Sequence, residues 1–522
     1  MRLFRLTAIA LATSAACAGV AGYAQLASPS GPADQGTALP QKLGDAVLGR
    51  DVFRNETFGN EGFWTDAVRL PAGIVAAKIT PLQALQLGLQ VDADAVDAGT
   101  KAKLGAELKA DPSGRSSSLL NDPAVTVALL KAGAVIGVAP KGEKFGVTCA
   151  LCHTMTDASV FKIGKGGGSI GSRIDGVANH DINLGKIFAT AANTRALYTL
   201  SQVSLKANHG KSIGRAPTGL TERSSEADFD AYFGNPKFYP VGMFDDTFDG
   251  NGDPMHNSAL FLQSHAAPYG SEGTFTKIDD FSNLVYTSLF DQTMLTTPGG
   301  RAFVHTLAGA AGDEMIDNYV KILADTKVIG YPYVTVSGGG ERGTLATPFG
   351  VRVDNRKLLA LNAYLSALPA PRGMFGDAAA MSRGRATFVS SGCTGCHNTD
   401  QSRAVPTTIH AMSTIFPGDR PMVLAPRNPP LNPVMNTANS VFDDKWAVVN
   451  ASIRGEKRGV AMPLLLDLAR KPNFLHDSSV PNLESLLDPA RGRSAPHPFY
   501  VSGKAQRSDL AMYLRGLDTT SR

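Results

Sequence analysis

Cysteine is scarce in this sequence, with five residues in 522. Cys17 lies in an N-terminal apolar stretch and the other four fall in two CxxCH motifs, so no thiol is left for a disulfide framework. Long apolar runs are missing too. The N-terminal one, residues 6–16, is too short to span a bilayer comfortably, and no later segment approaches about 18 uninterrupted apolar residues. Charged residues are only 18% and nearly balanced, because the net +4 falls to +2 once Arg2 and Arg5 are set aside with the N-terminal segment. That balance excludes the strongly basic face that marks a nucleic-acid binder. No low-complexity tract is present, and no internal repeat is visible beyond the two motifs.

The N-terminus itself reads as a secretory signal. Arg2 and Arg5 form a positive n-region, the short apolar run follows, and Gly22-Tyr23-Ala24 before Gln25 fits a small-x-small cleavage site. Residues 1–24 are therefore expected to be removed, and an uncleaved N-terminal anchor is the alternative. Lipidation at Cys17 is disfavoured, since Ser14 stands where a lipoprotein site prefers a large aliphatic residue. Export to the periplasm follows, with no integral membrane span after cleavage.

The 54 glycines and 31 prolines predict long irregular loops around a mostly α framework. Helical spacing is clearest over residues 355–368, with Leu358, Leu359, Leu361, Leu365 and Leu368, and again over 504–517, with Leu510, Tyr513, Leu514 and Leu517. Residues 42–53, 81–89 and 377–390 also read as helices, 122–139 as a helix or strand, and 333–336 as a short strand. Turn signals crowd residues 201–350, where, apart from that strand, no element is drawn in detail. The Pro369-Ala370-Pro371-Arg372-Gly373 stretch marks a boundary. The expected organisation is an enlarged N-terminal domain over 25–368, a linker over 369–376 and a C-terminal domain over 377–522.

The motifs are Cys149-Ala150-Leu151-Cys152-His153 and Cys393-Thr394-Gly395-Cys396-His397. In CxxCH the two thiols add across porphyrin vinyl groups, and the adjacent histidine turns back to ligate iron. A redox dithiol needs no histidine and expects a βαβ setting, and a zinc site would require two distant pairs to converge. The expectation is two covalently bound haem c groups, held by Cys149, Cys152, Cys393 and Cys396, with His153 and His397 as iron ligands.

The segment Gly384-Arg385-Ala386-Thr387-Phe388 before Gly392-Cys393, with Ser508-Asp509-Leu510-Ala511-Met512-Tyr513-Leu514, resembles the first and last helices of class I cytochromes c. That family implies two helices crossing beside the haem. Two ligands compete for the far side of the second iron. Gly459-Val460-Ala461-Met462-Pro463 offers the thioether of Met462 in a Met-Pro pattern usual for class I. Phe474-Leu475-His476-Asp477-Ser478-Ser479-Val480-Pro481 resembles a segment of dihaem cytochromes related to bacterial rubber oxygenases, which implies His476 instead; Ser478 replaces the glycine usual there. Around the first motif, Glu56 to Asp66, Ile170 to Gly176 and Asn179-His180-Asp181 resemble a broad group of bacterial dihaem cytochromes, with distant similarity to dihaem cytochrome c peroxidases.

For the first haem the distal candidates are His180, His265 and Met294, or no side chain at all, leaving the iron open. Arg173 and Arg195 are candidates to neutralise propionates. Met155 falls on the proximal side with His153, His256 has no evident partner, and His209, His305, His410 and His497 read as surface or loop residues. Asp249-Gly250-Asn251-Gly252-Asp253 starts like a calcium loop, but Pro254 and Leu260 stand where an EF-hand needs Gly and Glu, which leaves only a calcium ion held partly by backbone carbonyls. The run 164–168 lacks the ending of a phosphate loop. Together these features favour a dihaem electron carrier with a redox protein partner. The alternative is a peroxidase-like or oxygenase-like oxidoreductase with an open first haem.

Overall fold

The computed structural model describes residues 43–522 apart from 165, 202–219, 237–238, 245–254, 271–274, 406–408, 416–458, 476–477, 479 and 494. The N-terminal signal, Cys17, His209, the 249–253 run and His476 lie outside the described residues. Helices and irregular loops dominate, and the sheets among the described residues have only two or three short strands each. None of the described helices is long and apolar enough to cross a membrane.

Five helices organise the molecule: α1 (Ala46–Asn55), α2 (Pro298–Asp325), α3 (Asn355–Ala367), α4 (Ala378–Ser390) and α5 (Lys504–Arg515). Aspartates start three of them. Asp45 Oδ1 accepts from the Val47 and Leu48 N–H groups, Asp354 from Lys357 N–H, and Asp377 from Ala379 N–H. Each such cap satisfies otherwise orphaned donors and contributes about 1 kcal/mol. Helix α3 ends just before Pro369, whose ring disfavours helical geometry in Leu368.

Helix α1 packs on α3, and α4 packs on α5. The two crossings use the same residues, a repeat that inspection of the sequence misses. Gly49-Arg50-x-x-Phe53 in α1 matches Gly384-Arg385-x-x-Phe388 in α4. The run Leu361-x-x-Tyr364-Leu365-x-x-Leu368 matches Leu510-x-x-Tyr513-Leu514-x-x-Leu517. A Cβ on Gly49 would lie 1.9 Å from Ala360 O, and one on Gly384 2.1 Å from Asp509 O. Only a residue without a side chain lets the backbones approach so closely. Beside each glycine an aromatic pair closes the contact: Phe53 on Tyr364 with centroids 5.6 Å apart, and Phe388 on Tyr513 at 6.0 Å. What hides the repeat is length, since residues 56–354 lie inside the first crossing and only 391–503 inside the second.

Two large hydrophobic cores follow this division. One gathers Phe53, Phe63, Trp64, Tyr286, Tyr319 and Leu361; the other gathers Phe388, Leu483, Leu510, Leu514 and Leu517. Helix α2 lies in the stretch where turn signals suggested no element. Thr297 caps it through Gly300 N–H, its backbone breaks at Gly309 (φ +59°), and beyond the break Met315, Ile316, Tyr319, Ile322 and Leu323 are buried at helical spacing. Residues 122–139 divide into a helix, Pro123–Lys131, and the start of a strand, Val138–Lys141. The strand expected over 333–336 is not formed. The N–H groups of Tyr333 and Val334 both donate to the buried carboxylate of Asp291, at 2.7 and 2.9 Å, instead of to a neighbouring strand.

Candidate functional site

Each CxxCH motif folds into one helical turn. In the first, Ala150–His153 is a short helix and His153 N–H donates to Cys149 O at 3.2 Å; in the second, Cys393–Gly395 is a 3-10 turn and His397 N–H donates to Cys393 O at 2.9 Å. The turn brings residues one, four and five of the motif together, as a group held by two sulfurs and one imidazole requires. All four cysteines are unpaired with one another. Burial pushes the Cys149 thiol up to about 11 and the Cys152 thiol to about 12. A redox dithiol needs the opposite shift.

Segments remote in sequence hold the first motif in place. Asn60 clamps the strand entering it: its Nδ2 donates to Val147 O and its Oδ1 accepts from Val147 N–H, both at 2.8 Å. Thr65 makes the same two-way contact with Phe145, and Thr148 Oγ1 donates to Arg54 O. On the exit side Thr154–Thr156 pairs with Arg173–Asp175, Gly176 N–H donates to His153 O, and Asn179 N–H donates to Cys152 O. The stretches 56–66 and 170–181, singled out by resemblance, are those that wrap the motif. Cys149 Sγ and the Tyr286 hydroxyl hydrogen-bond at 3.3 Å.

The His153 imidazole is oriented by a backbone carbonyl, with Nδ1 2.8 Å from Ser258 O. That bond makes Nδ1 the donor and leaves Nε2 as the lone-pair nitrogen, the arrangement metal-ligating histidines use. Although part of the ring is accessible, the protein packed around it pulls its pKa down to about 4. Nearby, His180 and His256 bring their rings to 5.8 Å, and Lys471 Nζ donates to His256 Nε2 at 2.6 Å. Burial, then the charges of Lys471 and His153, lower His180 to about 3; burial lowers Lys471 to about 8. The sequence offered no signal for Lys471, which reaches this site from the C-terminal half.

The other candidates lie elsewhere. Met294 is buried in the large core, and its carbonyl accepts from Thr297 N–H. His265 carries a carbonyl that accepts from Val405 N–H, on the side of the second motif. Arg173 pairs with Asp92, while its Nη1 is buried with no partner among the described residues; Arg195 donates to Glu222 O at 2.6 Å.

Around the second motif, two histidines read as surface residues are brought to His397. His497 faces it with ring centroids 6.2 Å apart, and His410 Nδ1 lies 3.7 Å from Cys396 Sγ. His410 sits on the strand Ile409–Ala411, which pairs antiparallel with Gly459–Ala461. Met462 follows that second strand directly and is buried. Burial first, and His410 second, lower His397 to about 4. Phe474 and Val480 exchange backbone hydrogen bonds at 2.7 and 3.3 Å. Ser478 takes φ +58° there, the left-handed geometry that a glycine would adopt at lower cost.

The described residues contain no group of three His, Cys, Asp or Glu side chains poised to hold a bare metal ion. Two part-buried thiols and an imidazole on one turn fit a group that brings its own equatorial ligands, namely haem. No family model matches the chain, and no curated protein matches it. Among solved structures, hydrazine synthase of Kuenenia stuttgartiensis, studied under xenon pressure, matches at 15% identity, with a TM-score of 0.29 over 62% of this chain and 87% of that one.

Proposed function

We propose that this chain is a periplasmic dihaem c-type cytochrome that carries single electrons. It would have two cytochrome c-like haem domains, the N-terminal one enlarged, and would work with a redox protein partner. The observation that carries this reading is the duplicated arrangement: a CxxCH turn inside each of two matched helix crossings, each with part-buried histidines gathered near the motif's own. When bound, haem supplies one-electron redox chemistry at iron. The chain's residues do the rest. Cys149, Cys152, Cys393 and Cys396 hold by thioether bonds, and His153 and His397 ligate. Ser258 O fixes the tautomer of His153, and the two apolar cores exclude water. The test is haem content by pyridine haemochrome and intact mass, followed by low-temperature EPR of the oxidised protein. Two covalent haems, both low-spin and unmoved by cyanide, are expected; absence of covalent haem would refute the reading.

One observation favours a second reading, a peroxidase-like or oxygenase-like oxidoreductase with an open first haem. The Lys471–His256 hydrogen bond beside His180 supplies a part-buried base and a part-buried proton donor near His153. A high-spin EPR signal that converts on cyanide addition would select it.

A further inference from the structure

We infer that His497 is the second axial imidazole at the second motif, opposite His397. The inference rests on the cytochrome reading and deepens it, because neither Met462 nor His476 is then the ligand. A metal about 2 Å from each coordinating nitrogen, with each ring centre roughly 1 Å further, holds two imidazole centroids about 6 Å apart. The His397 and His497 centroids are 6.2 Å apart. Direct stacking would bring the two rings closer, and they are tilted by 48° to one another.

The polar groups agree. The Nδ1 atoms of both rings are buried with no hydrogen-bond partner among the described residues. On a histidine that ligates through Nε2, Nδ1 is the remote nitrogen, so neither ring is held by an Nδ1 bond that would turn its Nε2 away from an iron between them. His410, the other histidine here, is directed at Cys396 Sγ instead.

The loop around His497 is also built to hold it. Its N–H donates to Ile415 O at 2.7 Å, and Phe499 N–H donates back to its carbonyl at 2.8 Å. The Arg491 guanidinium donates to Pro496 O at 2.9 Å, and the Phe499 ring packs on the imidazole at 5.1 Å. Between Pro496 and Pro498 the residue takes φ +54°, a conformation that favours glycine. A histidine kept in a glycine's backbone position is the sort of local strain that surrounding contacts must support and that function retains.

The experiment compares the full-length wild type with H497G, H476A and M462A. Haem content is read by pyridine haemochrome, and ligation by low-temperature EPR and near-infrared magnetic circular dichroism. H497G is expected to keep two covalent haems per chain and lose the low-spin bis-imidazole signal of the second haem, with that signal restored by added imidazole. H476A and M462A are expected to keep it. Should H497G fail to fold, H497M serves: it is expected to convert that signal to a histidine–thioether spectrum. Two haems with the bis-imidazole signal of the second haem intact in H497G or H497M would overturn the assignment alone. A wild type without haem at the second motif would overturn the cytochrome reading first, before any variant is made.

Discussion

The crossing of α1 with α3 encloses residues 56–354, while that of α4 with α5 encloses only 391–503, yet both rest on a glycine pressed against a carbonyl and a phenylalanine set on a tyrosine. The regions diverge around the histidine each encloses. His153 has its ring fixed by Ser258 O, while the Nδ1 of His397 has no partner among the described residues and its ring lies 6.2 Å from that of His497. The first site is framed by long-range backbone clamps from 56–66 and 170–181; the second by a single loop and a two-stranded ladder. The scaffold is thus shared, and the surroundings of each motif's histidine are set by what is inserted into it.

The largest effect that would break the comparison comes from the thiols. The double variant C149S/C152S is expected to leave one covalent haem and C393S/C396S the other, each removing half of the pyridine haemochrome signal. Next come the crossings. G49A and G384A each place a methyl group where backbone already lies, and each is expected to cost about 2–3 kcal/mol in denaturant unfolding. A neutral G49A beside a destabilising G384A would show that the two crossings are not equivalent.

A smaller effect is expected from Lys471. Its folded pKa of about 8 is below its ordinary 10.5, so between these values the unfolded chain holds a proton that the folded chain lacks. Stability should therefore rise with pH across that window, and below it the full penalty applies. In K471M the rise should disappear, a change on the order of 1–2 kcal/mol because part of the side chain still meets solvent. A wild-type stability flat from pH 8 to 10 would contradict this. The smallest is S478G, which relieves a left-handed serine and is expected to stabilise by about 1 kcal/mol or less, seen as a small rise in Tm.

Much of the framework was legible in the sequence. The patterns over 355–368, 377–390 and 504–517 coincide with α3, α4 and α5 to within two residues, because amphipathic spacing and an aspartate or glycine at the start are local signals. The cysteines and their histidines were legible for the same reason: CxxCH is contiguous. The groups gathered around them were not. His497 lies between two prolines, which reads as exposed loop, and what turns it inward is hydrogen bonding to Ile415 and Arg491. Lys471 and His256 meet across more than two hundred positions, and Met294, attractive as a thioether, fills core space. Helix α2 was hidden by Gly299, Gly300 and Gly309, which read as turns although two of them sit within its first turn.

The unequal spans of the two crossings bear on how the chain reaches this structure. Closing a loop costs entropy only logarithmically in its length, so the longer first span costs about 0.9 kcal/mol more than the second. The inserted chain is therefore cheap at equilibrium. In time it is not: α1 cannot cover its apolar face until residues 355–367 arrive, whereas α4 waits only for 504–515. Non-local contacts of this kind slow folding and leave apolar surface exposed meanwhile. The α4–α5 crossing is thus expected to form first, and the N-terminal half to depend longest on protection from aggregation.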